Sequence, residues 1–460
     1  MTTRGIAHRL PRAALLAFVV GLALHNLAMA TLTGWGLGGG ALDAVSAWKD
    51  ALLVLALAAG LLAARSLPVT LWADRLALLY AALVVVYWLL PQGWLGDGEA
   101  TARGELFALR HHLLPVGAYF LGRLVALSPR EWRLAGTVLV GTAAALALWG
   151  LADVYLVALQ TWRDSGVPDW FREQLGLRYR GLSGLPENWV LNQGAGESPL
   201  RRLVSSLLSP LATSYVLVIA LLLLAARRRP GRWWLAAAAI AYAGLLWTHT
   251  RAAYLALAGG LVVLAVAQRR ALPVLLAAAS LGLSVGFVKA FPEIGPATSY
   301  TPEELAFLER NAARNPGRDT DPFSAEESSL SSHWRNLRAG VETVLEHPQG
   351  YGLGNAGVSA SRTSVDVKAG ESTYTELGVD AGLAGAAAFV AWLVALLAAL
   401  WRRSAWLAAS VAAVAALGLQ TDVIGVHWLS YVVFALAGAA LTRPPPAEPL
   451  RGPAASMRGA

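Results

Sequence analysis

Apolar residues run along this chain in long unbroken blocks, not in the alternation of a strand or the one-sided stripe of a surface helix. A helix needs about 20 mostly apolar residues to cross the hydrocarbon core of a bilayer. Blocks of this kind occupy approximately 13–33, 50–66, 70–91, 107–127, 134–159, 205–226, 233–248, 252–267, 271–288, 374–400, 404–419 and 424–442. They predict an all-α integral membrane protein with about twelve transmembrane helices. Two polar segments between blocks are too long to be mere connectors. The first runs from about Thr161 to Arg202 and contains Trp162, Trp170 and Trp189; the second runs from about Lys289 to Ser372. Within the second, Pro302-Glu303-Glu304 followed by Leu305, Phe307 and Leu308 predicts a short amphipathic helix. Trp334 to Leu345 predicts another, with Leu337, Val341, Val344 and Leu345 at helical spacing and His347-Pro348 ending it. That helix is expected at the membrane surface, capping a cavity.

The pattern divides the chain into helices 1–5 (1–160), a first long loop (161–204), helices 6–9 (205–288), a large loop with short helices (289–373), helices 10–12 (374–442) and a Pro-rich tail (443–460) expected to be disordered. Charge then orients it. With a cytoplasmic N-terminus, the inner loops carry Arg4, Arg9 and Arg12, then Arg65 and Arg75, then Arg123, Arg130 and Arg133. Arg227, Arg228, Arg229, Arg232, Arg269, Arg270, Arg402 and Arg403 follow on the same side, with Arg443, Arg451 and Arg458 in the tail. The short outer loops are poor in basic residues: Gly34 to Trp48 has none before the Lys49 that follows it, and Gln92 to Glu105 has Arg103 among acids. One missed span would scramble this alternation, so both termini are expected in the cytoplasm and both long loops outside. The basic start runs into the first block without a clear cleavage site and reads as a retained helix.

Composition agrees. Of 460 residues, 56% are hydrophobic and 14% charged, too little charge to cover a soluble domain of this size. The formal charge of +8 is mostly arginine between apolar blocks, a topology signal and not a nucleic-acid surface. The absence of cysteine excludes disulfides, thiolate metal sites, iron–sulfur clusters and thiol nucleophiles.

Polar groups meet the outer ends of apolar blocks at three places: Arg202 through Ser205-Ser206 to Ser209-Pro210; Trp247-Thr248-His249-Thr250-Arg251 to Tyr254; and Gly370-Glu371-Ser372-Thr-Tyr374. An arginine at a span end can simply snorkel to the headgroups. Arg251, however, lies on the outer side, against the charge trend, in a very short turn. Arg202 and Arg251 with no lysine nearby suit an oxyanion, because guanidinium bonds phosphate through two donors. Glu371 is either a helix N-terminal carboxylate favoured by the dipole or a general base. His249 and His333 read first as surface residues. These residues alone describe an arginine-rich site with one carboxylate, and no particular reaction.

At the same places the chain resembles the O-antigen polymerase and ligase superfamily of lipid-linked glycan transferases. Arg202 to Pro210 resembles the family's Arg-x-x-Gly-Thr-Phe-x-Asn-Pro element, with serines at the Gly, Thr and Asn places. Thr248 to Ala253 resembles its Thr-x-Ser-Arg-Gly/Ala-Ala turn, with Thr250 at the serine. Glu346-His347-Pro348-Gln-Gly350-Tyr-Gly352-Leu-Gly354 resembles its His-Pro-x-Gly-x-Gly-x-Gly stretch. Glu371-Ser-Thr-Tyr374 through Asp380-Ala-Gly382-Leu-Ala-Gly385 resembles its His-Asn-x-Tyr…Glu-x-Gly-x-x-Gly element. Ligases carry histidine where this chain has Glu371-Ser372, and the Gly-Glu-Ser version is more like polymerase-type members.

The resemblance covers the C-terminal two-thirds of the chain and implies a GT-C-like fold in a bacterial inner membrane, with the site facing the periplasm or exterior. It implies a glycan donor on undecaprenyl diphosphate and a glycan acceptor, with chain-length regulator or flippase proteins as partners. The acceptor hydroxyl would attack the donor's anomeric carbon without a cofactor or metal. Arg202 and Arg251 would stabilise the leaving diphosphate, Glu371 would orient or deprotonate the acceptor, and His249, His333, Arg335, Arg338 and Tyr374 would bind phosphate or sugar. The loop tryptophans would stack on sugars or anchor at the interface. A ligase is the nearest alternative; a transporter, the other, calls for ionisable groups near the bilayer midplane and internal repeats, whereas Asp153 and Asp422 sit near outer span ends and the halves show no clear repeat.

Overall fold

The structure, a computed structural model, describes residues 3–191, 198–314 and 328–442. The tail expected to be disordered lies outside them. The first half consists of α1 (Thr3–Gly34), α2 (Gly39–Ser46) with α3 (Trp48–Ala64), α4 (Trp72–Leu89), α5 (Ala102–Arg123) and α6 (Pro129–Leu156). Short α7 (Leu159–Arg163) and α8 (Val167–Asp169) follow, then an antiparallel pair, β1 (Val190–Leu191) and β2 (Leu200–Arg201). Next come α9 (Pro210–Ala225), α10 (Arg232–Trp247), α11 (Arg251–Gln268) and α12 (Leu272–Ile294). The large loop forms α13 (Pro302–Arg314), α14 (Ser328–Glu346) and α15 (Gly357–Arg362), which include both helices expected there. The chain ends with α16 (Thr373–Trp401), α17 (Ala405–Leu417), and a π turn running into α18 (Phe434–Thr442).

The protein is an all-α membrane protein. Among the described residues seven segments are long and apolar enough to cross a bilayer, and Pro210–Ala225, Ala405–Leu417 and Leu429–Thr442 are shorter apolar helices. Helices α5 and α10 fall on the remaining expected blocks. Helix is the form that satisfies every backbone donor and acceptor within one segment when no water is present. Leu62 (79% exposed), Leu255 (66%) and Val394 (60%) present an outer surface that only hydrocarbon would cover comfortably.

Packing inside the bundle relies on small residues and a buried ion pair. A Cβ on Gly122 of α5 would strike Ala435 O, and one on Gly438 of α18 would strike Tyr119 O, so these helices touch through their backbones. Beside this contact Asp74 of α4 accepts from Arg123 Nε at 2.8 Å and from the Tyr119 hydroxyl at 2.6 Å. Arg12 pairs with Glu131 at 3.2 Å, Gln268 donates to Ala226 O, and Arg403 to Leu441 O. These contacts gather one set of basic connections at one end of the bundle. The opposite end carries both long loops.

The first long loop has a core of its own, and this corrects one expectation. Trp162, Trp170 and Trp189 are 8%, 5% and 1% exposed, packed with Leu182, Leu185 and Met29. Trp162 donates to Asp153 Oδ1 at 2.7 Å and Trp189 to Leu208 O at 3.1 Å. Their rings fold the loop down on α1 and α6 and have no face left for a sugar or for the interface.

Candidate functional site

Between α10 and α11 the chain reverses in three residues, Thr248 to Thr250, and this puts His249 in the left-handed region (φ 48°). Thr250 is the N-cap of α11, so Arg251 begins that helix. The strand β2 approaches the turn: Arg202 N donates to Trp189 O at 2.8 Å and Leu203 N to Trp247 O at 2.9 Å. Successive side chains of an extended segment point to opposite sides. Arg201 accordingly reaches Asp153 Oδ2 at 2.9 Å, whereas Arg202 donates to Thr248 O at 2.9 Å and the Thr250 hydroxyl at 3.2 Å. Arg201 is a buried structural clamp; Arg202 stands beside Arg251.

The three serines of the first motif are all engaged. Ser205 donates to Leu146 O, Ser206 to Ala23 O, and Ser209 caps α9 by accepting from Ala212 N. They fix the segment that presents Arg202. Burial lowers the Arg202 pKa to about 10; nearby Tyr254 works against the fall and the Arg251 charge adds to it. Burial, with Arg202 and Arg251, pushes His249 down to about 3, so this imidazole is neutral. Its ring lies 4.7 Å from Phe291, and its Nε2 is buried with no partner among the described residues.

Glu371 sits at the start of α16, also left-handed (φ 65°). Its carboxylate is held by His333 Nδ1 at 2.8 Å and Asn336 Nδ2 at 2.6 Å, both from α14. Thus α14 does fold over the start of α16, with Gly340 against Thr375 and Val344 against Gly378. Arg335 and Arg338 lie on an exposed face of α14, Arg335 on Ser332 and Arg338 on Glu342 at 2.8 Å. Tyr374 donates to Ala415 O at 2.7 Å and rests against Gly418, which commits it to α17. The structure therefore groups Arg202, Arg251 and His249 at one turn, and Glu371 with His333 at another.

The two turns meet through α9 and the α17–α18 connection. Tyr215 lies beside Arg202, Thr421 and Asp422, and Thr421 O accepts from the Thr373 hydroxyl at 3.1 Å. Here lie two histidines the sequence did not single out. His111 Nε2 is 3.0 Å from Asp422 Oδ2, and His112 Nε2 is 2.9 Å from Asp380 Oδ2. Burial raises the Asp422 carboxyl, but the charge and hydrogen bond of His111, with the Gly425 amide, outweigh it and hold the pKa below its usual value. These pairs join segments hundreds of residues apart; for His111 and His112 the signal in the sequence was two ionisable residues within an otherwise apolar block. Among the described residues no group of three or more His, Asp or Glu is arranged to hold a metal ion.

The glycine-rich stretch serves α16. That helix breaks at Ala381–Gly382, where Gly382 has φ 64°. Tyr351 N donates to Val379 O at 2.7 Å and Leu383 N to Pro348 O at 2.9 Å, which supplies partners at the break. Gly350 (φ 74°) lies so close to Gly382 that a Cβ would meet its nitrogen at 2.6 Å.

Residues 235–390 match the family model described as O-antigen ligase. The match spans α10 to the middle of α16 and supports the superfamily of O-antigen polymerases and ligases, an enzyme class acting on lipid-linked glycans. A search of curated proteins finds no match.

Proposed function

We propose, with that family match as the premise, that the protein polymerises undecaprenyl-diphosphate-linked oligosaccharide repeat units at the outer face of a bacterial inner membrane. The observation that carries this reading is the placement of Arg202 and Arg251 at one turn, with Tyr215 near both that turn and Asp422, and of Glu371 at the start of α16, where His333 and Asn336 orient it. A hydroxyl of the acceptor sugar forms a bond to the donor's anomeric carbon. The bond from that carbon to the diphosphate oxygen breaks, and the lipid diphosphate leaves with the electron pair. The acceptor's proton passes to the Glu371 carboxylate. Negative charge grows on the leaving oxygen as the bond breaks, so two fixed guanidinium groups favour the transition state over the ground state. Neutral His249 shields the arginines from one side without adding a third charge.

A ligase, which moves finished glycan to a lipid or protein acceptor, is the second reading, favoured by the description of the matching family. Gly370-Glu371-Ser372 in place of a histidine supports the polymerase. Surface glycan from a deletion strain, separated on a gel, distinguishes them. Single repeat units on the acceptor are expected for a polymerase; long polymer stranded on the lipid carrier would refute it in favour of a ligase.

A further inference from the structure

Around the starts of α3 and α5 and the end of α15, Arg362, Arg110 and Lys49 form a second concentration of positive charge. Arg362 ends α15, which sits on the start of α5 with Thr363 against Gly104. Its Nε is buried and without a partner among the described residues, although the residue as a whole keeps an opening to solvent. Burial, then the like charge of Arg110, lower its pKa to about 10; Tyr179 opposes this and Arg103 adds to it. Lys49 lies within electrostatic reach of both Arg110 and Arg362.

The nearby carboxylate, Asp50, is already committed. It takes two bonds from Arg110, each of 2.9 Å, and one from the Tyr431 hydroxyl at 2.7 Å. Lys49 Nζ is left with Ser46 O at 2.7 Å and His25 Nε2 at 3.0 Å. Indole N–H can only donate, so Trp48 Nε1, 3.2 Å from His25 Nδ1, leaves the neutral imidazole with its hydrogen on Nε2, facing the ammonium. Donor thus meets donor. A buried N–H without an acceptor costs free energy, and an oxyanion reaching the Arg362 guanidinium from its open side would remove that cost.

We infer that Arg362, with Arg110 and Lys49 behind it, binds an oxyanion, a carboxylate or phosphate carried by the glycan. The glycan as ligand rests on the proposed function; the anion site does not. It would select acidic acceptors.

The test uses the full chain purified in lipid nanodiscs. Three probes are titrated: a glucuronic-acid-terminated oligosaccharide, its neutral glucose-terminated counterpart, and inorganic phosphate. The acidic sugar should bind wild type on the order of 10- to 100-fold more tightly than the neutral one. Arg362→Gln should erase that difference and Arg362→Lys should keep part of it. Phosphate binding that depends on Arg362, without a preference for the uronate, would assign the anion to a phosphate substituent. Unchanged anion affinity in Arg362→Gln overturns the inference, as does a variant that only unfolds earlier, equally with and without anion. Wild-type turnover of a neutral lipid-diphosphate oligosaccharide tests the reaction separately, so either idea can fail alone.

Discussion

Replacing Glu371 by Gln removes a negative charge and keeps the size of the side chain. In the structure the carboxylate makes one bond to His333 at 2.8 Å and one to Asn336 at 2.6 Å, and its side chain is 42% exposed. If it only ties α14 to α16, solvent screening limits the pair to about 0–1 kcal/mol. Loss of such a tether would slow turnover by roughly fivefold at most. A general base is different: its loss costs about 10²–10⁴ in rate, or about 2.7–5.5 kcal/mol. The assay is in vitro turnover of a defined lipid-diphosphate oligosaccharide, with thermal unfolding measured on the same preparation. Glu371→Gln is expected to fall by at least about a hundredfold with little change in unfolding temperature. Glu371→Gly isolates the backbone: the residue has φ 65°, and glycine relieves roughly 1–2 kcal/mol of left-handed strain. That variant should unfold no earlier than wild type and be equally inactive. A loss below about fivefold in Glu371→Gln would refute its role as base and leave it a tether.

Further outcomes follow from the same contacts. Arg202→Gln and Arg251→Gln should each lower turnover on the order of 10²–10³ at unchanged membrane levels; normal polymer from either variant removes that arginine from the mechanism. Asp153→Asn strands the buried Arg201 and should destabilise by about 3–5 kcal/mol, so an unaltered melting curve in detergent contradicts the clamp. His249 is held near 3 against an ordinary 6.5, so the unfolded chain takes up the proton first as pH falls. Its contribution to stability is complete above 6.5 and lost progressively toward 3. Asn tolerates the left-handed backbone, and His249→Asn should flatten this part of the stability–pH curve; the same slope in both proteins excludes His249 as its source.

The helices were legible because their physics is local. A block of some twenty apolar residues has one stable form in hydrocarbon, and the periodicity of Leu337, Val341 and Val344 sufficed to find α14. Arg202, Arg251 and Glu371 were visible as polar residues at the ends of such blocks. What joins them was not. Nothing in the order of residues says that Arg201 turns to Asp153 while Arg202 turns to Thr250, because that depends on the side of an extended segment each occupies. The pairing of His112 with Asp380, 268 residues apart, is fixed only when α5 and α16 pack. The loop tryptophans misled for a related reason. An indole suits a sugar face, a membrane interface or a small core equally well, and only the folded loop decides among them.

The break in α16 makes the glycine-rich stretch and the span a single inherited part. Pro348 O and Tyr351 N complete the backbone bonding that the helix gives up around Gly382. A chimera that takes this loop from one protein and the helix from another would separate two halves of one hydrogen-bond set. Exchange between relatives should therefore succeed only with boundaries outside 348–383, a segment that also contains Glu371. Sequence change is then free to accumulate on the outer face of α14, while the stretch from loop to kink is transmitted whole.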